Sequence, residues 1–142
     1  MVTEEIHLNQ AMEANGIESV ETDLGEYIIQ LRGEIPSHII APAVHTTKEQ
    51  VEAEFRRVHT HLDPNRNLDD PTTLLSEART VLRQKFIEAD VGITGANFLV
   101  AETGSSIIVT NEGNGDLTQS LARTHVVITS IEKLVPTLED VS

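Results

Sequence analysis

The sequence predicts an α/β protein, a mixed sheet with flanking helices and an antiparallel hairpin. Three observations carry that expectation. Up to Asp90, apolar residues recur at helical spacing behind good capping residues. Beyond Asp90, short Val- and Ile-rich runs alternate with glycine turns. Among them, Phe98-Leu-Val-Ala101 and Ser106-Ile-Ile-Val-Thr110 flank Glu102-Thr-Gly-Ser105, where Gly104 can adopt a positive φ, as a hairpin turn requires.

Residues 1–15 read as one amphipathic helix. Thr3 is its N-cap, Glu4 and Glu5 favour the positive end of the dipole, and Leu8, Ala11 and Met12 share a face. Gly16 suits the position just past its end. Ile17 to Thr22 reads as a short strand anchored by Ile17 and Val20. Asp23-Leu-Gly-Glu26 is a capping-box pattern opening a second helix, lined by Leu24, Tyr27, Ile28 and Leu31 and ended by Gly33. After Ile35-Pro36, the run His38-Ile-Ile-Ala41 reads as a strand buried on both faces, which Pro42 ends. Thr46-Thr-Lys-Glu49 opens a third helix through about Leu62, with Val51, Phe55, Val58 and Leu62 on one face. Residues 63–71 are mostly polar, with Pro64, Pro71, Asp63, Asp69 and Asp70, and read as a flexible surface loop open to proteolysis. Pro71 then takes the first position of a long helix lined by Leu74, Leu75, Ala78, Val81, Leu82, Phe86 and Ala89. His125-Val-Val-Ile-Thr129 is a third apolar strand beyond the hairpin. No internal repeat is present.

The chain of 142 residues fits a single domain, 1–142, with enough apolar residues for a core. Asp and Glu number 23 against 10 Lys and Arg, giving a formal charge of −13. That balance leaves no basic stripe for nucleic acid and disfavours anionic membranes. No apolar run reaches the roughly 18 residues of a membrane span, and acids stand near the N-terminus where a signal peptide carries Lys or Arg. A cytoplasmic location is the expectation. The sequence has no cysteine, which excludes thiolate catalysis, disulfides and cysteine-held clusters within this segment.

Asn111-Glu-Gly-Asn-Gly115 is the most informative stretch. Its glycines allow close backbone approach to a ligand, its amides and Asn side chains can cradle an anion, and Glu112 can act as nucleophile, base or hydroxyl-binding carboxylate. A glycine-rich turn with a solvated Glu fits the same residues. Gly92-Ile-Thr-Gly-Ala-Asn97 reads as a second ligand loop, although a helix end followed by strand entry explains its glycines as well. It has neither a dinucleotide nor a P-loop fingerprint. His59 and His61 stand two apart, which on a helix would point the rings away from each other, so no metal site is expected there.

Several blocks, in order along nearly the whole chain, carry a family resemblance. They are Met1-Val-Thr-Glu-Glu-Ile6, Thr22-Asp-Leu-Gly-Glu-Tyr27, Pro36-Ser-His-Ile-Ile-Ala-Pro-Ala43, Val91-Gly-Ile-Thr-Gly-Ala-Asn-Phe98, Ala101-Glu-Thr-Gly104, Thr110-Asn-Glu-Gly-Asn-Gly115 and Ile131-Glu-Lys133. Together they resemble the lactate-utilisation (LUD) domain, in the version carried by an iron–sulfur subunit of a bacterial L-lactate oxidation system. The resemblance implies a truncated LUD-type domain. It also implies 4Fe–4S clusters held by cysteines in a segment downstream of the domain, none of them bound here. The implied fold is similar to that of ribose-5-phosphate isomerase and the CoA transferases, in which an ENG-type loop holds the catalytic Glu. On that basis Glu112 is the candidate catalytic residue. Thr94, Gly95, Asn97, Glu102, Asn111, Gly113, Asn114 and Gly115 are the candidate ligand-binding residues, with a small carboxylate as ligand and other subunits of a lactate-utilisation complex as partners. A scaffold that docks the cluster segment, without chemistry of its own, is the alternative. Asp116, Ala122 and Ser130 depart from the family pattern, and the Asp116 charge opposes an anionic ligand beside Glu112.

Overall fold

The computed structural model describes residues 2–34, 42–110 and 112–141. Six helices and five short strands follow in the order α1 Val2–Glu5, α2 Leu8–Ala14, α3 Leu24–Arg32, α4 Lys48–Val58, α5 Pro71–Glu88, β1 Val91–Thr94, β2 Phe98–Val100, β3 Ser105–Ile107, α6 Asn114–Leu121, β4 Thr124–Val127 and β5 Leu134–Val135 among those residues. Single 3₁₀ turns occupy Ile131–Lys133 and Leu138–Asp140. The class is α/β, as the sequence predicts. The chain divides into two compact units, residues 20–85 and residues 1–19 with 86–142.

Residues 20–85 are helical and hold most of the described core: Tyr27, Ile28, Ile29, Phe55, Leu68, Leu74, Ala78, Val81 and Leu82. Helix α3 starts where Asp23 accepts hydrogen bonds from the amides of Gly25 and Glu26, at 3.0 and 3.3 Å. It ends on Gly33 at φ 65°, with the amides of Gly33 and Glu34 returning to Gln30 and Ile29. The α4 cap lies one residue later than expected. Thr47, not Thr46, accepts from the Gln50 amide, and the Gln50 side chain accepts from Thr47 N at 2.9 Å. Both registers offer a Thr with a suitable residue three positions on. The observed one leaves Glu49 in the first turn, beside the positive end of the dipole.

Helix α4 also stops at Val58, short of Leu62, because His59 turns inward to be almost wholly buried. Its Nδ1 lies 2.7 Å from Glu77 Oε1 and its Nε2 lies 2.8 Å from the Tyr27 hydroxyl. A carboxylate only accepts, so Nδ1–H donates to Glu77, and in the neutral ring Nε2 accepts from Tyr27 O–H. Glu77 is buried on α5, and Arg66 grips it with two hydrogen bonds, Nε to Oε2 at 2.5 Å and Nη2 to Oε1 at 2.7 Å. Arg66 also donates to the Phe55 and Asp63 carbonyls. Residues 63–70 therefore carry specific anchors: Arg56 donates to the carbonyls of Pro64 and Arg66, Lys48 donates to that of Asp69, and Leu68 is buried. Asp70 accepts from the Thr72 amide at 2.7 Å and opens α5 with Pro71 behind it.

In the other unit, the single helix expected over residues 1–15 is two. His7 adopts the left-handed conformation, φ 52° and ψ 44°, which ends α1 and starts α2. Gly16, at φ 76°, closes α2 with the amides of Gly16 and Ile17 returning to Glu13 and Met12. Residues 17–22 form no strand. The strand expected at His38–Ala41 lies outside the described residues. Instead of one mixed sheet there are two small ones among the described residues. Strands β1 and β4 pair in parallel, with Val91 opposite Thr124 and Thr94 opposite Val127. The other sheet has the order β3-β2-β5: β2 and β3 form the expected antiparallel hairpin, and β5 joins β2 in parallel.

Helix α6 returns the chain to the start of β4 and packs on β1 at Gly92. A β-carbon at Gly92 would run into the Thr118 carbonyl oxygen of α6, whereas one at Gly95 would meet only Ile128 O at 3.8 Å. Gly92→Ala is expected to cost about 1–3 kcal/mol, the usual penalty of overpacking. Gly95→Ala should stay within about 0.5 kcal/mol. Urea unfolding of the two variants beside the parent chain checks the contrast.

Burial alone would raise the Glu77 pKa, but the hydrogen bonds from Arg66 and His59 outweigh it and hold the carboxyl below its ordinary value of 4.5. A depressed carboxyl contributes stability that is complete above the unfolded-state value and is lost as pH falls through the folded-state value. The parent chain should thus lose more stability than Glu77→Gln as pH drops below about 5, read from urea midpoints at a series of pH values. At neutral pH, removing either partner by Glu77→Ala or Arg66→Ala should cost about 3–5 kcal/mol.

Candidate functional site

The candidate ligand-binding residues fall at two ends of the β2–β3 hairpin. Its open end is clamped by Asn97, whose amide donates to Ile107 O and whose Oδ1 accepts from Val109 N, both at 2.8 Å. Asn97 therefore spends its oxygen on the backbone, and only Nδ2 is left to donate to a ligand. Glu102 lies in the turn at the closed end, its amide donating to Pro136 O at 3.0 Å. The length of β2, about 10 Å at strand rise, separates it from Asn97. The structure does not bring Glu102 to the other candidates.

The stretch after β3 leads straight into α6. Gly113 precedes the helix in the left-handed conformation, φ 74°, a backbone state that glycine adopts without strain. A β-carbon on Gly115 would lie 2.9 Å from Thr110 Cγ2 and 3.6 Å from Ile108 Cγ2. The first turn of α6 can therefore rest on residues 108–110 only because position 115 is glycine. The Thr110 hydroxyl donates to Asp116 Oδ2 at 3.1 Å, fastening the two sides of the loop. Since Asn97 holds Val109, the 112–115 stretch and Asn97 are neighbours. Glu112 is exposed in this loop, and Asn111 lies outside the described residues.

Thr94 does not belong to a free loop, and Gly95 opens the short connection from β1 to β2. Thr94 is the last residue of β1, and its carbonyl accepts from the Ile128 amide at 2.9 Å. Gly92 presents the bare face of β1 to α6. Thr94, two residues on, lies on that same face, as does His125, the partner of Gly92 in the register. The Thr94 hydroxyl and His125 Nε2 lie 2.8 Å apart there. Helix α6 feeds the start of β4, so it runs against the strands and its N-terminal turn points toward their carboxyl ends. Parallel strands, a helix N-terminus and a polar loop at one end are the usual setting for a ligand in α/β proteins.

The donors gathered there are the Asn114 and Asp116 amides in the first turn of α6, Asn97 Nδ2, Asn114 Nδ2 and the Thr94–His125 pair, the Gly115 amide being held by Asn114 Oδ1. Glu112 and Asp116 supply negative charge. Among the described residues no group of three or more His, Asp or Glu is arranged to hold a metal ion. His125 is the residue that sequence reasoning left out of the site. Its signal was its place in an apolar strand, but only the parallel register puts it beside Thr94, 31 residues away. The buried group of Tyr27, His59, Arg66 and Glu77 was missed as well, since Glu77 sits in a helix whose other buried positions are apolar.

No helix of the described residues is long and apolar enough to cross a membrane. No solved structure matches the chain. Among curated proteins, the chain is 49% identical to lactate utilization protein B of Bacillus licheniformis, 51% identical to that of Bacillus pumilus and 49% identical to that of Bacillus subtilis. Each similarity runs over 141 residues, 99% of this chain. The chain spans 29% of the length of each of these relatives. The LUD domain family matches residues 1–142, from one end of the chain to the other. The Gly92, Asn97 and Gly113–Gly115 architecture is therefore that of a LUD domain, and this chain belongs to the LUD domain family.

Proposed function

We propose that this chain is the LUD segment of an iron–sulfur subunit in a cytoplasmic L-lactate oxidation system, and that it carries part of a small-acid pocket. The lactate-utilisation role rests on the relatives. The observation that carries the pocket is the convergence of Asn97, Gly115 and Asp116 on residues 108–110, at the end of the hairpin where α6 begins. In this reading the α6 amides, Asn97 Nδ2 and the Thr94 hydroxyl donate to the carboxylate of a 2-hydroxy acid. Glu112 accepts the proton of its hydroxyl, one of the two hydrogens that leave when lactate becomes pyruvate; the other leaves Cα with the electron pair, to an acceptor outside this chain. The positive end of α6 offsets part of the repulsion from Asp116. The similarity of Asn111-Glu-Gly-Asn-Gly115 to the ENG-type loop of the CoA transferases supports this role for Glu112 by analogy alone.

Iron–sulfur clusters do not fit the residues present. They need thiolate ligands, the chain has no cysteine, and the described residues offer no His and carboxylate set in its place. Cluster binding and electron acceptance are accordingly assigned to other parts of the parent subunit and to its partner subunits, and Glu102, at the far end of the hairpin, is left outside the pocket.

Glu112→Gln in the full subunit should abolish lactate-dependent electron transfer while leaving stability within about 0.5 kcal/mol, since it removes a charge at constant volume from an exposed position. Undiminished electron transfer by that variant would overturn the role of Glu112. Anaerobic reconstitution of this chain alone with iron and sulfide should give no iron–sulfur absorption. A cluster spectrum would overturn the assignment of the clusters to other segments.

A further inference from the structure

The sequence contains two Asn-Gly pairs, Asn15-Gly16 and Asn114-Gly115. Such pairs are chemically labile. The backbone nitrogen of the glycine can attack the carboxamide carbon of the asparagine, because no glycine side chain shields it. A bond forms from that nitrogen to Cγ, the Cγ–Nδ2 bond breaks, and ammonia leaves with the proton from the nitrogen. Water then opens the resulting five-membered imide to aspartate or isoaspartate. By sequence alone the two pairs are equivalent. The fold makes them different.

At Asn15 both reacting groups are committed elsewhere. Nδ2 donates to Ala11 O at 2.8 Å, which turns the carboxamide back along α2. The Gly16 amide donates to Glu13 O at 3.0 Å as part of the helix cap. Its nitrogen is held to a different partner, and Gly16 is fixed at φ 76° by that cap. At Asn114 the arrangement is reversed. The Gly115 amide donates to Asn114 Oδ1 at 2.8 Å, which holds its nitrogen against the very carboxamide it would attack once deprotonated. As a first-turn amide of α6 it has no carbonyl of its own helix to bind. Asn114 Nδ2, the leaving group, has no partner among the described residues, and Asn114 is half-exposed, within reach of water.

We propose that Asn114 is a spontaneous modification site of this chain, converted to aspartate and isoaspartate through an imide with Gly115, while Asn15 is protected by its helix cap. The product adds a carboxylate to a loop that already carries Glu112 and Asp116, and the isoaspartyl form lengthens the backbone by one carbon at the start of α6. The chemistry is independent of what the loop binds.

The test is incubation of the folded chain at mildly alkaline pH, followed by peptide mapping for the amide-to-acid mass change and the isoaspartyl isomer, with a parallel sample in urea. In the folded chain Asn114 should convert about tenfold faster than Asn15, the ratio given by a barrier difference of about 1.4 kcal/mol. In urea the two rates should converge. Asn114→Gln should remove the modified α6 peptide from the map, since Gln does not form the five-membered ring. Conversion of Asn15 at an equal or higher rate in the folded chain would overturn the proposal. So would a folded chain in which neither site reacts while both react in urea.

Discussion

Parallel pairing of β1 and β4 is the constraint from which the candidate site follows. Two parallel strands cannot be joined by a tight turn, so the chain must cross from the end of one to the start of the other. Here the crossing contains the β2–β3 hairpin and α6. The helix has to lie flat on the strands it connects, and at Gly92 the approach is so close that only a hydrogen fits beneath the Thr118 carbonyl. A second glycine, Gly115, lets the first turn of α6 settle on residues 108–110. Once these contacts are made, the N-terminal turn of α6, the Asn97 clamp and the Thr94–His125 pair all lie toward the carboxyl ends of the strands.

The helical unit is organised differently. Its core is apolar except at one place, where Glu77, His59 and Tyr27 form a chain of hydrogen bonds closed by Arg66. The residues come from α3, the end of α4, the connecting segment and α5. Buried polar groups are tolerated only when each finds a partner, so the network works as a whole. It coincides with the end of α4, where His59, the C-cap at φ −84° and ψ 54°, reaches Glu77. It also sets the path of residues 63–70, whose carbonyls serve as acceptors for Arg56, Lys48 and Arg66.

Local signals in the sequence translated well into local structure. Asp23 and Gly33 bound α3, Pro71 opens α5, Gly16 closes α2 and Gly104 turns the β2–β3 hairpin at φ 68°. Each of these depends on groups within a few residues of one another, so a short window holds all the information. Where two windows were equally good, as at Thr46 and Thr47, the choice was not legible. The break at His7 was not legible either, because the apolar pattern continues across it.

The site divides along the same line. That residues 112–115 form a polar entry to a helix could be read from the glycines, and the family could be read from blocks spread along the chain. The neighbours of that loop could not. Thr94 beside His125, Gly92 beneath Thr118 and Asn97 beside Val109 depend on strand register and on the direction in which α6 crosses the sheet. Separating Asn97 from Glu102 required the hairpin itself. The sequence by itself determined the helix caps, the turns, the acidic charge and the family. The tertiary structure alone decided which polar side chains meet, because contacts between residues distant in the chain are set by packing and pairing that no local pattern records.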